Sequence, residues 1–164
     1  NVPTGILQTS GIGSVALGTN GDAPTWASVL GLIKEVSVDN ADQGNLAFAT
    51  NAEARAKMMG TAKVASTDSR MVMESANELA GYQAFTSQTV PSDLIKGTTG
   101  TDLSALIFGN WQDLILGQWG GLDIVVDPFT KADQGLVRVI LNVFVDVAVR
   151  RPQSFAAISD MVTA

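Results

Sequence analysis

The nearest approach to a paired-carboxylate site is "LDIVVD" (122–127), where Asp123 and Asp127 alternate with apolar residues. On one extended strand, residues four apart share a face about 13 Å from each other. Glycosidic carboxylate pairs work at roughly 5 to 9.5 Å, so these two read as solvated strand charges. "GIGSVALG" (11–18) brings its third glycine two residues too late for a dinucleotide-binding turn, with no strong strand before it, and reads as loop. "DNADQGN" (39–45) resembles half a calcium loop. With Gly44 at its sixth position, Asp39 is first, but Ala41, Gln43 and Thr50 stand where charged ligands and the closing glutamate belong. There is no His and no Cys. That excludes a Ser-His-Asp triad, a thiol nucleophile and a thiolate or imidazole zinc site. Neither a catalytic residue nor a cofactor or metal site is expected. Arg150 and Arg151, adjacent before Pro152, either end a strand in solvent or pair with acidic residues of another subunit, where they would set registry. Trp111 and Trp119 flank "QDLILGQ" as core or lobe-interface residues, with a contact surface as the alternative.

The bulk properties narrow the partners. The net charge is −6 and the 10 basic residues are scattered, so sequence-specific nucleic-acid binding is not expected. No run reaches the roughly 18 apolar residues of a membrane helix, and no secretory leader is expected. The chain opens at Asn1 on "NVPTGIL", which reads as mid-protein sequence and suggests a fragment or processed product. Its length suits one domain, or one and a half small ones.

Residues 1–24 are rich in Gly, Thr and Ser and read as loop with short extended pieces. A helix is predicted near 25–37, with Trp26, Val29, Leu30 and Ile33 on one face. "LAFAT" (46–50) is a short strand. A helix to about Met59 follows, capped by a Thr50–Glu53 box or by Asn51 alone, with Gly60 placed to end it. An exposed loop spans 60–70, and "MVM" (71–73) is a brief strand. "GYQAFTSQTVP" (81–91) holds an alternating strand stopped by Pro91, and "SDLIKGTTGTD" (92–102) is another loop. Three strands are predicted at 105–110, 113–119 and 122–127, separated by Asn110–Gln112 and Gly120–Gly121. The class is α+β with mixed or antiparallel sheets and a few short helices.

One segment is unusual. From Val137 to Val149 every odd position of "LVRVILNVFVDVAVRRPQSFA" (136–156) is apolar, while the even positions are mixed. The two-residue period and the β-branched content predict a strand rather than a helix. At about 3.3 Å per residue, 136–149 would extend roughly 46 Å. It is either broken by a bulge near Asn142 or runs between two lobes.

"GNWQDLILGQWGGLDIVVDPFTKADQGLVRVILNVFVDVAVRRPQSFA" (109–156) resembles the C-terminal end of tailed-phage major capsid proteins of the Hong Kong 97 type. "PTGIL" (3–7), "LAFATNAEARAKM" (46–58) and "LAGYQAFTSQTVP" (79–91) resemble further blocks of that family. Ala52 and Gln83 stand where members often carry Pro. The resemblance covers essentially this whole chain but about half of a family subunit. It implies a shell-building subunit and no enzyme. A connecting segment (1–24) would lead to an axial lobe (25–126), and a long strand would return into a peripheral lobe (127–164), with "SFAAI" completing the peripheral sheet. Such subunits assemble into hexamers and pentamers enclosing a genome in a virion, made in the bacterial cytoplasm. Partners would be copies of itself, with other head proteins in contact and no membrane. Intersubunit contacts are expected at Lys63, Thr67, Asp68 and Arg70 in the axial loop, at Asp127, Lys131 and Asp133 in the peripheral turn, and at Arg150 and Arg151. An acidic chain suits a container that does not grip packed DNA tightly. An encapsulin-like compartment is the alternative, and an unrelated ligand-binding module or enzyme a more distant one. Without the family's arm and extended loop, this chain is expected to be a monomer or weak oligomer.

Overall fold

The computed structural model describes residues 3–66 and 70–163. A seven-stranded mixed sheet with its helices forms a body, and a two-stranded antiparallel ribbon leaves that body as an arm. Strand β1 is Gly13–Ser14, helix α1 Trp26–Val38, β2 Leu46–Thr50 and helix α2 Ala52–Gly60. Then come β3 (Glu78–Leu79), β4 (Tyr82–Thr86), β5 (Leu94–Lys96) and β6 (Thr99–Asn110). The ribbon is β7 (Leu114–Asp127) with β8 (Arg138–Val149), and β9 is Phe155–Val162. The body sheet runs β1-β9-β6-β2-β4-β3, with β5 paired to β6.

Local chemistry starts both helices. Thr25 and Ser28 cap α1 reciprocally: the Ser28 amide donates to Thr25 Oγ1 at 3.2 Å and the Thr25 amide to Ser28 Oγ at 3.1 Å. The buried stripe of α1 is Val29, Leu32 and Val36, flanked by Trp26 and Ile33, whereas Leu30 is 44% exposed. The predicted stripe was therefore turned by about one residue, because the line of contact is set by the strands beneath. Asn51 caps α2 alone, accepting from the Ala54 amide at 2.8 Å while its own amide donates to the Pro91 carbonyl at 3.0 Å. Asn51 is fully buried, so Asn51→Ala strands both partners and should cost about 1–3 kcal/mol in urea unfolding. Asn51→Asp keeps the cap but turns an oxygen toward the Pro91 carbonyl. It should lose most of the same stability, although aspartate is itself a good cap.

The two-residue period of the strands sorts the core. Phe48, Leu106, Phe108 and Ile158 share one buried cluster with the α1 stripe, with the Phe108 ring 4.5 Å from Phe48 and 5.1 Å from Tyr82. On the opposite face Ile107, Phe155 and Ala157 form a smaller cluster under Ile6, Leu7, Ile12 and Trp111. Gly109 of β6 pairs with Phe155 of β9 and lies against its ring. A β-carbon there would lie 2.4 Å from the Ser154 carbonyl oxygen, so this position admits no side chain.

Several expectations are corrected. Residues 92–102 are not a loop: β5 and the start of β6 make a hairpin through Gly97, hidden in the sequence by its polar composition. "MVM" forms no strand; Met71 makes one isolated bridge to Ala62 while Val72 and Met73 are buried. Strand β4 ends at Thr86, where the Val90 amide closes a turn onto Ser87, and Pro91 does not stop it. The segments 113–119 and 122–127 are one strand, because Gly120 takes φ +68° and absorbs the irregularity. The "SFAAI" strand does not join the arm. It pairs with β6 and β1 inside the body, where Phe155, Ala156 and Ile158 are buried.

Candidate assembly surface

The arm is where sequence pattern and exposure disagree most. Strand β8 has 12 residues, about 40 Å of extended chain. Among the described residues its ladder partner is β7, with pairs from Leu114↔Val149 to Asp127↔Arg138. The expected break near Asn142 falls instead on the partner strand. From Trp119 to Asp123 is four steps (123 − 119 = 4), opposite two on β8 (144 − 142 = 2). The excess is even, so side-chain parity survives it. Leu116, Ile124 and Val126 therefore share one face with Val139, Leu141, Val143, Val145 and Val147, interrupted by one polar residue, Gln118 opposite Val145. Leu116 is 72% exposed and Leu141 60%. The opposite face is mixed and carries Asp123, Asp127, Arg138, Asn142 and Asp146, together with Trp119 and Phe144. A two-stranded ribbon is at best marginally stable alone, and an apolar face of this length marks a surface made to be covered.

The arm's tip is closed by a turn over 128–137. Asp127 caps it, accepting at Oδ1 from the amides of Phe129 (2.9 Å) and Thr130 (3.2 Å), while the Thr130 hydroxyl donates to Oδ2. Those bonds, the hydroxyl first, hold the Asp127 carboxyl below its ordinary value of 3.8. Lys131 reaches Gln134 at 3.5 Å, and Asp133 is exposed.

The arm's root is built on Asp113, which sequence reading passed over. It is 4% exposed. Its Oδ2 accepts from the Ser154 hydroxyl at 2.6 Å and from Asn110 Nδ2 at 3.3 Å; its Oδ1 accepts from Arg150 Nε at 3.0 Å and Nη2 at 2.5 Å. The Ser154 hydroxyl above all, and the Arg150 guanidinium, draw its carboxyl below the ordinary 3.8 against the opposing effect of burial. Stability from a lowered carboxyl is complete above the unfolded value and is lost as pH falls through the folded one. Acid unfolding should therefore steepen below pH 3.8, and Asp113→Asn should flatten that limb in a pH series of urea midpoints.

The seven contact candidates among the described residues occupy three separate places. Lys63 is in the body, its ammonium 2.6 Å from Glu74 Oε1 and 4.2 Å from the Trp26 ring centroid; its amide donates to the Arg70 carbonyl at 2.9 Å. Thr67 and Asp68 lie outside the described residues. Asp127, Lys131 and Asp133 are together at the tip. Arg150 and Arg151 are at the root, Arg151 donating to the carbonyls of Asp39 (2.5 Å) and Asn40 (3.5 Å). The two tryptophans part company. Trp111 packs on Phe155 at 5.7 Å and donates to the Ala47 carbonyl at 3.0 Å, whereas Trp119 is 60% exposed on the arm. The missed Asp113 is 37 positions from Arg150 and 41 from Ser154 in sequence, beyond the reach of any local motif.

Residues 1–160 match the Phage capsid family. The chain belongs to that family. A curated relative in it, the major capsid protein of Halomonas phage phiHAP-1, is 30% identical over 159 residues, covering 95% of this chain and 23% of its own length. Among solved structures, the capsid of a native GTA particle superposes with TM-score 0.69 at 18% identity, covering 98% of this chain and 56% of that one. Gordonia phage Cozz gives 0.61 at 23% identity (92% and 50%), and the SrpI encapsulin of Synechococcus elongatus 0.64 at 16% (98% and 57%). The phage capsid chain thus spans about half the length of these solved relatives and under a quarter of the curated one. Its α+β architecture is that of the Hong Kong 97-like capsid folds.

Proposed function

We propose that the protein is a structural subunit of an icosahedral phage shell, assembling with copies of itself into hexamers and pentamers that enclose the genome within the virion. The observation that carries this reading is the arm: a ribbon with one face that is apolar except at Gln118, exposed in a chain of the phage capsid family. Such a face costs solubility in a lone molecule and is used when further polypeptide covers it. On this reading the body is the axial lobe and the arm belongs to the peripheral lobe. The lobe boundary moves from 126 to the root at 113–114, and 155–162 stays with the axial lobe. Neighbouring subunits meet the tip at Asp127, Lys131 and Asp133 and the axial loop at Lys63 to Arg70, Thr67 and Asp68 included. Arg150 and Arg151 serve the arm's attachment in their own chain.

An encapsulin-like compartment is the second reading, favoured by the SrpI fold likeness. That likeness is one of fold at 16% identity, against 30% to a phage major capsid protein, so the phage shell is preferred. Electron microscopy of the expressed full-length gene product tests both. Closed icosahedral shells are expected, and head proteins or DNA inside them separate a phage shell from an enzyme-filled compartment. A monomer under assembling conditions that turns over a substrate would end the reading.

A further inference from the structure

We propose that Asp113 and Arg150 form a latch that fixes the angle at which the arm leaves the body. This deepens the shell reading and rests on it only for the consequence in assembly. The chain crosses between body and arm twice, at Asp113–Leu114 going out and at Val149–Arg150 coming back, with a short 3-10 turn on the body side of each. Two single-chain crossings beside short turns would by themselves make a hinge. They are instead tied together. The Arg150 amide donates to the Asp113 carbonyl at 2.8 Å, and two guanidinium nitrogens close on Asp113 Oδ1. The second carboxylate oxygen takes the Ser154 hydroxyl, on the turn that leads into β9, and Asn110, the last residue of β6. Asn110 Oδ1 in turn accepts from the Asn45 amide at 3.0 Å, just before β2. One buried carboxylate thereby joins both crossings to three neighbouring strands of the body.

Burying an ionised carboxylate is costly, and an apolar side chain would fill the same space more cheaply. What the ion cluster adds is direction, because charge-assisted bonds to a planar guanidinium constrain angles that apolar packing leaves soft. Arg151 adds a second tie, from the incoming crossing to the carbonyls at the end of α1.

Because the chain has no cysteine, a clean spin-label pair can be placed at Ala56→Cys on exposed α2 and Ala132→Cys at the arm's tip. Pulsed electron–electron distance measurement would use labelled protein diluted in unlabelled protein, so that pairs within one chain dominate. The parent should give one narrow peak. Arg150→Ala, which removes a largely exposed side chain and opens no core cavity, should lose that peak to a broad distribution. Arg150→Lys, with charge but no fork, should fall between. Asp113→Ala should broaden most, and the arginine variants carry the test should it fail to fold. Thr25→Ala, which weakens the body at the α1 cap, should leave the peak narrow. A narrow peak in Arg150→Ala, or equal broadening in Thr25→Ala, overturns the latch. Shells with an unchanged peak would refute the latch and keep the shell reading. Broadening in a protein that never assembles would do the reverse.

Discussion

Val139→Asp combined with Leu141→Asp is expected to abolish closed particles while leaving the body's unfolding transition where it is. Both side chains lie on the apolar face of β8, more than half exposed, opposite Val126 and Ile124. Within this chain they contribute little to the core, so their loss should move the urea midpoint by no more than about 0.5 kcal/mol equivalent. On the shell reading proposed above the same face is covered, and each carboxylate driven under that cover costs several kcal/mol unless it finds a cation. The cost recurs in every copy, so even a modest penalty per subunit removes a cooperative assembly. Particle counts by electron microscopy of the full-length protein, beside sedimentation and urea titration, read both halves of the expectation. Asn142→Asp, on the opposite face of the same strand, should assemble nearly as the parent does. Shells at parental yield from the double variant would show that the apolar face is not an assembly surface.

Phe108→Ala should have the largest effect on stability, about 3–5 kcal/mol. Its ring is 1% exposed and stands between Phe48 and Tyr82 in the aromatic centre of the larger cluster. Removing it takes away the transfer free energy of a whole ring, two aromatic contacts worth about 0.5–1.5 kcal/mol each, and leaves a cavity that paired strands cannot collapse around. Against a total stability of about 5–15 kcal/mol for a domain of this kind, a substantial unfolded population follows. The urea midpoint should fall with the slope unchanged. Phe85→Ala, 51% exposed on β4, should stay within about 0.5 kcal/mol of the parent. A Phe108 variant as stable as that control would mean that the body is not organised around this ring.

Where the sequence was readable, the deciding interactions were short-range. The α2 cap, left between a Thr50–Glu53 box and Asn51 alone, is a contact between Asn51 and Ala54, three residues apart. The alternation from Val137 to Val149 announces a strand with one apolar face because side chains on a strand alternate whatever it pairs with. The block order carried the family resemblance in the same way. Where the sequence was opaque, the deciding partner was distant. The segment "SFAAI", which the resemblance put in the peripheral sheet, lies in the body instead, where Phe155 fills the space above Gly109. Nothing near Asp113 in the chain identifies it as the residue that Arg150 and Ser154 converge on.

The amino-acid order by itself determined that these 164 residues offer no histidine or cysteine, that helices start near 25 and near 50–51, and that a long strand has one apolar side. Only the tertiary structure decided that this strand leaves the body, that its irregularity falls on the partner strand, and that a buried carboxylate anchors its root. Local propensity is a sum over neighbours in the chain. Strand pairing and ion-pair closure are competitions among distant surfaces, whose outcome depends on the packed whole.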